Sequence, residues 1–453
     1  MRPAAALLLS AGLMGQTAPA PPLDRAQMAA QVRAEALHAW QGYRKHAWGH
    51  DELRPLSLQP RDWYGHTLLM TPVDALDTLI LLGLKDEAAE ARKLIDTKLD
   101  FDQDLRVKGF EINIRLLGGL LSGYQLTGDA RLLALAKNLG DRLLPAFDTP
   151  TGMPYQFVNL KTHKADGAAS NPAEVGTYLL EFGVLSRLTK NPVYYAKAKA
   201  ASTALFERRS QLGLVGSAIN VETGAWTDRG SHISGGIDSY YEYLLKASIL
   251  FDDADCARMW KESLAALNAH VADEAPTGLW YATVDMDTGK RTATEFGSLD
   301  AFFPATLALS GDLDRAARLQ ASTFKMWTTF GIEPEEIDYL SMKALDTHYM
   351  LRPEAIESAY YLRTLAGDPR YLEMGRTYFE SLKRRCRTAE AYAALKDVTT
   401  GAQMDDMESF FFAETLKYLY LLFAPPSALD FPKGVVFNTE AHPFRRTWQG
   451  SAQ

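Results

Sequence analysis

The chain has 453 residues, 47% hydrophobic, 23% charged and 11% aromatic, which supplies ample core and excludes a disordered, collagenous or coiled-coil protein. Its 48 basic and 56 acidic residues give a formal net charge of −8, and no extended block of Lys or Arg stands out along the chain, which argues against nucleic acid or an anionic membrane surface as the main partner. With two cysteines, Cys256 and Cys386, there is neither a disulfide framework nor a four-thiolate metal site.

In chain order, the first element is a segment to set aside from the fold. Met1-Arg2-Pro3 gives a positive start, Ala4 to Gly15 is mostly apolar but too short to span a bilayer, and Ala18-Pro19-Ala20 fits a cleavage site. Residues 1–20 therefore read as a signal peptide and 21–453 as one exported domain, periplasmic or secreted. No later stretch is long and apolar enough for a membrane span, and no Asn stands in an N-x-S/T sequon.

From there the chain repeats a helical hairpin. Apolar residues at i, i+3, i+4 spacing run into a short Gly/Asp/Asn/Pro turn, and a second helical stretch follows. The turns at Asp129, Asn191, Asp253, Asp312 and Asp368 stand 62, 62, 59 and 56 residues apart. At roughly 150 residues per domain the length suggests three domains. A period of about sixty residues instead predicts about seven stacked hairpins in one all-α unit, an open superhelix or a closed ring. Strand signals are sparse, best at Leu279 to Val284 and Val435 to Asn438. The long connections 147–169, 211–233 and 282–297 are expected to crowd one rim.

Carboxylates fall near the start of the first helix of nearly every hairpin: Asp74 and Asp77, Glu111, Glu174 and Glu181, Asp238 and Glu242, Glu354 and Glu357, then Glu408 and Glu414. In a ring they converge at one mouth, without a matching set of bases, and suit a cation or acid/base chemistry. Glu174 after Asn171-Pro172 and Glu354 after Pro353 also have an ordinary reading as helix-capping acids. Glu414, inside the aromatic run Phe410 to Phe423, would cost several kcal/mol if buried unpaired, about what an ion or a sugar would repay. No P-loop, H-E-x-x-H, C-x-x-C or G-x-S-x-G competes, and His66, His348 and His442 read as packed or hydrogen-bonded rather than as ligands. Acids converging on one mouth of a helical ring match glycoside hydrolysis, in which one carboxyl protonates the leaving oxygen and another activates water.

Seven segments in order strengthen this: Ala47 to Pro55, Val73 to Leu79, Phe110 to Arg115, Asp238 to Lys246, Leu351 to Ser358, Glu408 to Phe411 and Phe437 to Pro443. Together they resemble the class I α-mannosidases, glycoside hydrolase family 47. The resemblance implies an (α/α)7 barrel, a Ca²⁺ ion at its base and inverting removal of α-1,2-linked mannose from a mannose oligosaccharide or high-mannose glycan. By it, Glu111 is the general acid and Glu354 the base; Asp238 is the third essential carboxylate, with the acid role open between it and Glu111. Thr439 would bind Ca²⁺ directly, and Glu357, Glu414 and Glu440 through water, as suits a hard cation. Arg115, Phe410 and Glu414 would hold the sugar, and Arg352 would reach towards the next one.

The chain also departs from the family. Ala301 and a position near Ser322 stand where the family bridge would be, so that disulfide is absent. Ser234-Gly235-Gly236-Ile237 and Gly297-Ser298-Leu299 replace the bulkier residues that contact the glycan in eukaryotic members. The signal and the missing sequons give a bacterial character, and a monomer is expected. The rival readings are a non-catalytic mannose-glycan-binding relative, another α/α-barrel carbohydrate enzyme, and an open helical scaffold without inward acids.

Overall fold

The computed structural model describes residues 23–425, 429 and 434–449, so the signal peptide expected at 1–20 lies outside the described residues. Among these, seven outer helices alternate with seven inner ones. The outer set is α1 (Arg25–His46), α3 (Lys85–Lys98), α5 (Ala130–Leu143), α7 (Val193–Phe206), α9 (Ala254–His270), α11 (Leu313–Phe330) and α13 (Arg370–Arg385). The inner set is α2 (70–81), α4 (109–127), α6 (172–189), α8 (Asp238–Phe251), α10 (299–309), α12 (Glu354–Ala366) and α14 (411–423). Consecutive inner helices pack side by side, and α14 returns to α2, where the Thr78 hydroxyl donates to the Phe412 carbonyl at 3.0 Å. The superhelix is therefore closed, an (α/α)7 barrel. Its seventh pair joins the two ends of the chain, for α1 lies against α14.

Burial explains the two kinds of helix. The outer helix α5 buries Leu132, Leu135, Ala136, Leu139, Gly140 and Leu143, a single stripe at 3.6-residue spacing. In the inner helix α4 every residue from Ile112 to Gly123 is buried, because neighbours cover it on all sides. The recurring turn also has a local cause. Gly128, Lys190, Asp252, Gly311 and Gly367 end their helices at positive φ, and Asp129, Asn191, Asp253, Asp312 and Asp368 then accept backbone N–H bonds from the next helix.

Strands are more numerous than the sequence suggested. Eight small antiparallel sheets are present among the described residues, most of their strands only two to four residues long and too short for a period-two pattern to register. They lie in the long connections, as expected of the rim, and staple one connection to the next. Ala169–Ser170 pairs with Ala218–Asn220 of the following loop, and Gly230–Ser231 with Thr283–Asp285 of the one after.

The hairpin Val435–Phe437/Pro443–Arg445 does something else: it plugs the barrel. Gln125 near the end of α4 donates to the Arg445 carbonyl, and Arg446 pairs with Asp252 at the end of α8, so the strands enter where the inner helices end. The turn Asn438–His442 reaches the middle of the ring. A Cβ on Gly118 would stand 2.6 Å from Asn438 Nδ2, so this approach needs glycine. Cys256 and Cys386 are both free and buried, and no described helix is long and apolar enough to cross a membrane.

Candidate active site

The plug closes one end of the barrel and leaves a cavity of about 240 Å³ that opens towards the stapled rim. Glu111, Arg115, Asp238, Arg352, Glu354, Glu357, Phe410, Glu414, Thr439 and Glu440 all line it. Six of the seven inner helices or the turns before them contribute, and their first turns carry Glu111, Glu174, Asp238 and Glu354. Leu351, just ahead of Arg352, holds the left-handed backbone at φ 63°, a strained conformation for a branched side chain. Two inner helices are widened by a π-helical turn here, Ile112–Leu117 bearing Arg115 and Phe411–Leu416 bearing Glu414. Such turns gather at functional sites and leave no pattern in the sequence.

Arg115 and Arg352 frame the cavity. Both guanidinium carbons lie 5.6 Å from the Phe410 ring centre. Arg115 donates to Glu111 (3.1 Å) and Glu440 (2.5 Å), and Arg352 makes a paired contact with Glu335 at 3.0 and 3.1 Å. Burial opposes the charge of Arg115, yet Glu440, Glu111, Asp74 and Glu408 hold its guanidinium well above its ordinary range. Sequence reasoning missed Glu335; the only signal was an acid beside Pro334.

Part of the expected acid ring is neutralised elsewhere. Asp74 and Asp77 take the two ring nitrogens of His442 at 3.0 and 2.7 Å, and Asp77 also takes Lys417 at 2.8 Å, all fully buried beneath the cavity. His442 is thus hydrogen-bonded, as expected. Glu174 is N-capped by Asn171 and pairs with Lys108 at 2.8 Å, Glu242 pairs with Lys246, and Glu181 accepts from Tyr243, Asn113 and Asn438. Lys246 stands one turn from Glu242, but Lys108, Lys417 and His442 come from distant parts of the chain, so a linear count could not match them to their acids.

Eight carboxylates line the cavity against three lining bases, Lys108, Arg115 and Arg352, and with Glu174 and Glu242 paired to Lys108 and Lys246 six acids are left to two arginines. Burial, reinforced by Glu242 and opposed by Arg352, pushes Asp238 up to about 7. Burial also takes Glu354 to about 8 against the pull of Arg352, and Glu357 to about 8 against Lys246. Glu414 and Glu440 are driven well above the carboxylate range, first by burial; Glu354 and Glu357 add to it for Glu414, and Arg115 opposes it for Glu440. One oxygen of Glu354 has no hydrogen-bond partner, and the Glu414 side chain makes no hydrogen bond or ion pair among the described residues.

This set fits a hard cation. Thr439 and the oxygens of Glu357, Glu414 and Glu440 share one wall, and added positive charge would relieve what burial imposes on them. Among the described residues no group of three His, Cys, Asp or Glu side chains is arranged to hold a metal directly.

Comparison with known proteins agrees with this geometry. The chain is 41% identical to Alpha-mannosidase I MNS4 of Arabidopsis thaliana, over 93% of the chain and 70% of that protein. It is 38% identical to ER degradation-enhancing alpha-mannosidase-like protein 2 of Mus musculus, over 96% of the chain and 80% of the relative. The solved alpha-1,2-mannosidase from Trichoderma reesei superposes with a TM-score of 0.86 at 30% identity, covering 93% of this chain and 99% of that one. These relatives come from a plant, a mammal and a fungus, and nothing among them supports the bacterial character expected above. The family model for glycosyl hydrolase family 47 matches residues 35–446. The chain belongs to that family and is a glycoside hydrolase.

Proposed function

We propose that the protein removes terminal α-1,2-linked mannose from mannose-containing oligosaccharides with inversion, using Asp238 as proton donor and Glu354 as base. The observation that carries the reading is the cavity itself: acids from the first turns of the inner helices face one another around the Phe410 ring and its two arginines. Asp238, buried and raised to about 7, retains a proton near neutral pH and can give it to a leaving oxygen. The Glu111 carboxylate is instead engaged by Arg115 at 3.1 Å. Burial holds Glu354 at about 8, so as base it must first be ionised, which Arg352 and a bound cation both favour, and one of its oxygens has no hydrogen-bond partner among the described residues. Phe410 and Arg115 would orient the terminal mannose, with Arg352 nearer the next sugar.

Thr439 would bind Ca²⁺ directly, with Glu357, Glu414 and Glu440 around its waters. Such an ion, when bound, supplies positive charge at the cavity floor and grips sugar hydroxyls. Export through the segment at 1–20 and a monomeric state belong to the same proposal. The second reading is a non-catalytic mannose-glycan-binding protein built on the same ring.

Proton NMR of α-1,2-mannobiose hydrolysis, with and without EDTA, tests the proposal. β-Mannose as first product, lost on chelation, is expected. α-Mannose as first product, or activity undiminished after thorough chelation, refutes the inverting or the Ca²⁺ assignment respectively, and binding without turnover supports the second reading.

A further inference from the structure

Turns in the long connections are closed by an Asn or Asp whose side-chain oxygen accepts from the backbone N–H two residues on. Asn159 holds Lys161 in this way at 3.1 Å, Asn220 holds Glu222 at 2.9 Å, Asp228 holds Gly230 at 2.8 Å and Asp397 holds Thr399 at 2.7 Å. In the connection that leads into α8 a histidine takes this place: the Ser234 N–H donates to His232 Nδ1 at 3.1 Å. A backbone N–H can only donate, so Nδ1 carries the lone pair and the ring is neutral, with its proton on Nε2. Burial, opposed by the charge of Asp228, lowers the ring to about 4 and keeps this form at neutral pH.

Ser234 begins a loop with little stiffness of its own, since Gly235 and Gly236 follow and Gly236 stands at φ 87°. Its carbonyl accepts from the N–H groups of Ile237 (3.0 Å) and Asp238 (3.1 Å), so whatever holds Ser234 also sets the backbone of Asp238. The Gly236 carbonyl accepts from Ala173 N–H at the start of α6 (2.9 Å), which ties the middle of the loop; the His232 bond fixes its beginning. From Asp238 the bonds continue into the carboxyl group. Ser239 N–H donates to Oδ1 at 2.7 Å, so the next backbone group aims the acid, and Oδ2 has no partner among the described residues. The imidazole also joins this loop to the rim sheets, for it lines a hollow of about 480 Å³ with Asp228, Arg229, Thr283, Asp285, Thr292 and Glu295.

We propose that His232 is a positioning residue for Asp238: its Nδ1 latches the Ser234 backbone, and the Ser234 carbonyl seats the Asp238 amide at the cavity wall; this rests on reading Asp238 as the proton donor. Gly235, Gly236 and Asp238 line the cavity while His232 does not, so it acts on proton transfer only through the loop. A histidine that merely filled the rim would support stability and affect every substrate alike.

The test compares full-length wild type, supplied with Ca²⁺, with His232→Phe and His232→Asn on α-1,2-mannobiose and α-mannosyl fluoride. Phenylalanine keeps a ring but cannot accept, whereas asparagine keeps an acceptor at the spacing used elsewhere on the rim. His232→Phe should lower kcat on mannobiose by about tenfold or more, with KM changed less than about twofold, because a misplaced donor slows the chemical step. Fluoride leaves without a proton, so turnover of mannosyl fluoride should fall by less than about twofold. His232→Asn should bring mannobiose turnover back to within about threefold of wild type. Wild-type turnover of mannobiose by His232→Phe, equal losses on both substrates where Asp238→Asn is selective, or no rescue by His232→Asn overturns the proposal. Nitrogen NMR reads the latch without turnover: the His232 proton should sit on Nε2, and the Ser234 and Asp238 amide signals should shift in His232→Phe and return in His232→Asn. An inactive wild type with that pattern, or Asp238→Asn losing both substrates equally with His232→Phe following it, would overturn the donor reading and leave the latch standing. A proton on Nδ1, or amide signals that do not move, overturns the latch whatever the activity.

Discussion

The barrel is held shut from inside by charges, and removing one of them should be costly. Lys417 Nζ lies 2.8 Å from Asp77 and donates to the Ala441 carbonyl at 2.6 Å, where neither side chain reaches solvent. Asp77 also accepts from Ser122 and His442, and the far ring nitrogen of His442 meets Asp74. With a carboxylate at each nitrogen both must donate, so His442 is the cation, its pKa raised by Asp77 and Asp74 in spite of burial. Two cations thus balance two anions. Lys417→Met retains the aliphatic stem and leaves one buried carboxylate in excess, which costs about 3–5 kcal/mol in comparable buried pairs.

Urea unfolding at neutral pH measures the loss. Adding Asp77→Leu to Lys417→Met restores the balance, and the cycle should return about 2 kcal/mol or more. The acid side gives a second readout. Burial would raise Asp77, but Lys417 and His442 outweigh it and hold the folded pKa at about 2, below the ordinary aspartate value of 3.8. A depressed carboxylate contributes stability above its unfolded value, so about 2–3 kcal/mol should disappear as pH falls from 3.8 through 2. Lys417→Met should unfold at a higher pH than wild type. A loss under about 1 kcal/mol, or coincident acid transitions, would refute the view that this cluster anchors the plug.

Two further outcomes follow from the site. Asp238→Asn should nearly abolish cleavage of α-1,2-mannobiose yet retain hydrolysis of α-mannosyl fluoride, whose leaving group needs no proton; equal losses on both, with Glu111→Gln showing the selective pattern instead, would exchange the two roles. Ca²⁺ at 100 times its dissociation constant should stabilise the protein by about 2.7 kcal/mol in a melting experiment, and Glu414→Gln should reduce that gain; no shift in wild type would remove the cation from the site.

The ring was legible because each hairpin repeats its turn chemistry, a left-handed residue followed by a capping Asp or Asn, at an interval set by helix length. The acids at the mouth were legible for the same reason: one helical register places Glu111, Asp238 and Glu354 on equivalent first turns. What escaped had no local period. The rim strands are too short to alternate visibly, and the π turns arise from packing. The bases that neutralise Asp77 stand more than 300 residues away in sequence. That last separation has a structural logic. The floor of the cavity is built from Asn438 to His442, after all seven inner helices, so the site is incomplete until the chain's end has entered the closed ring. The Lys417–Asp77–His442–Asp74 cluster joins that end to α2, the first inner helix, and α14, the last. The same ion pairs therefore tie ring closure to the seat of the floor, and a defect in the cluster should reach the cavity through the plug, without touching a residue that faces the sugar.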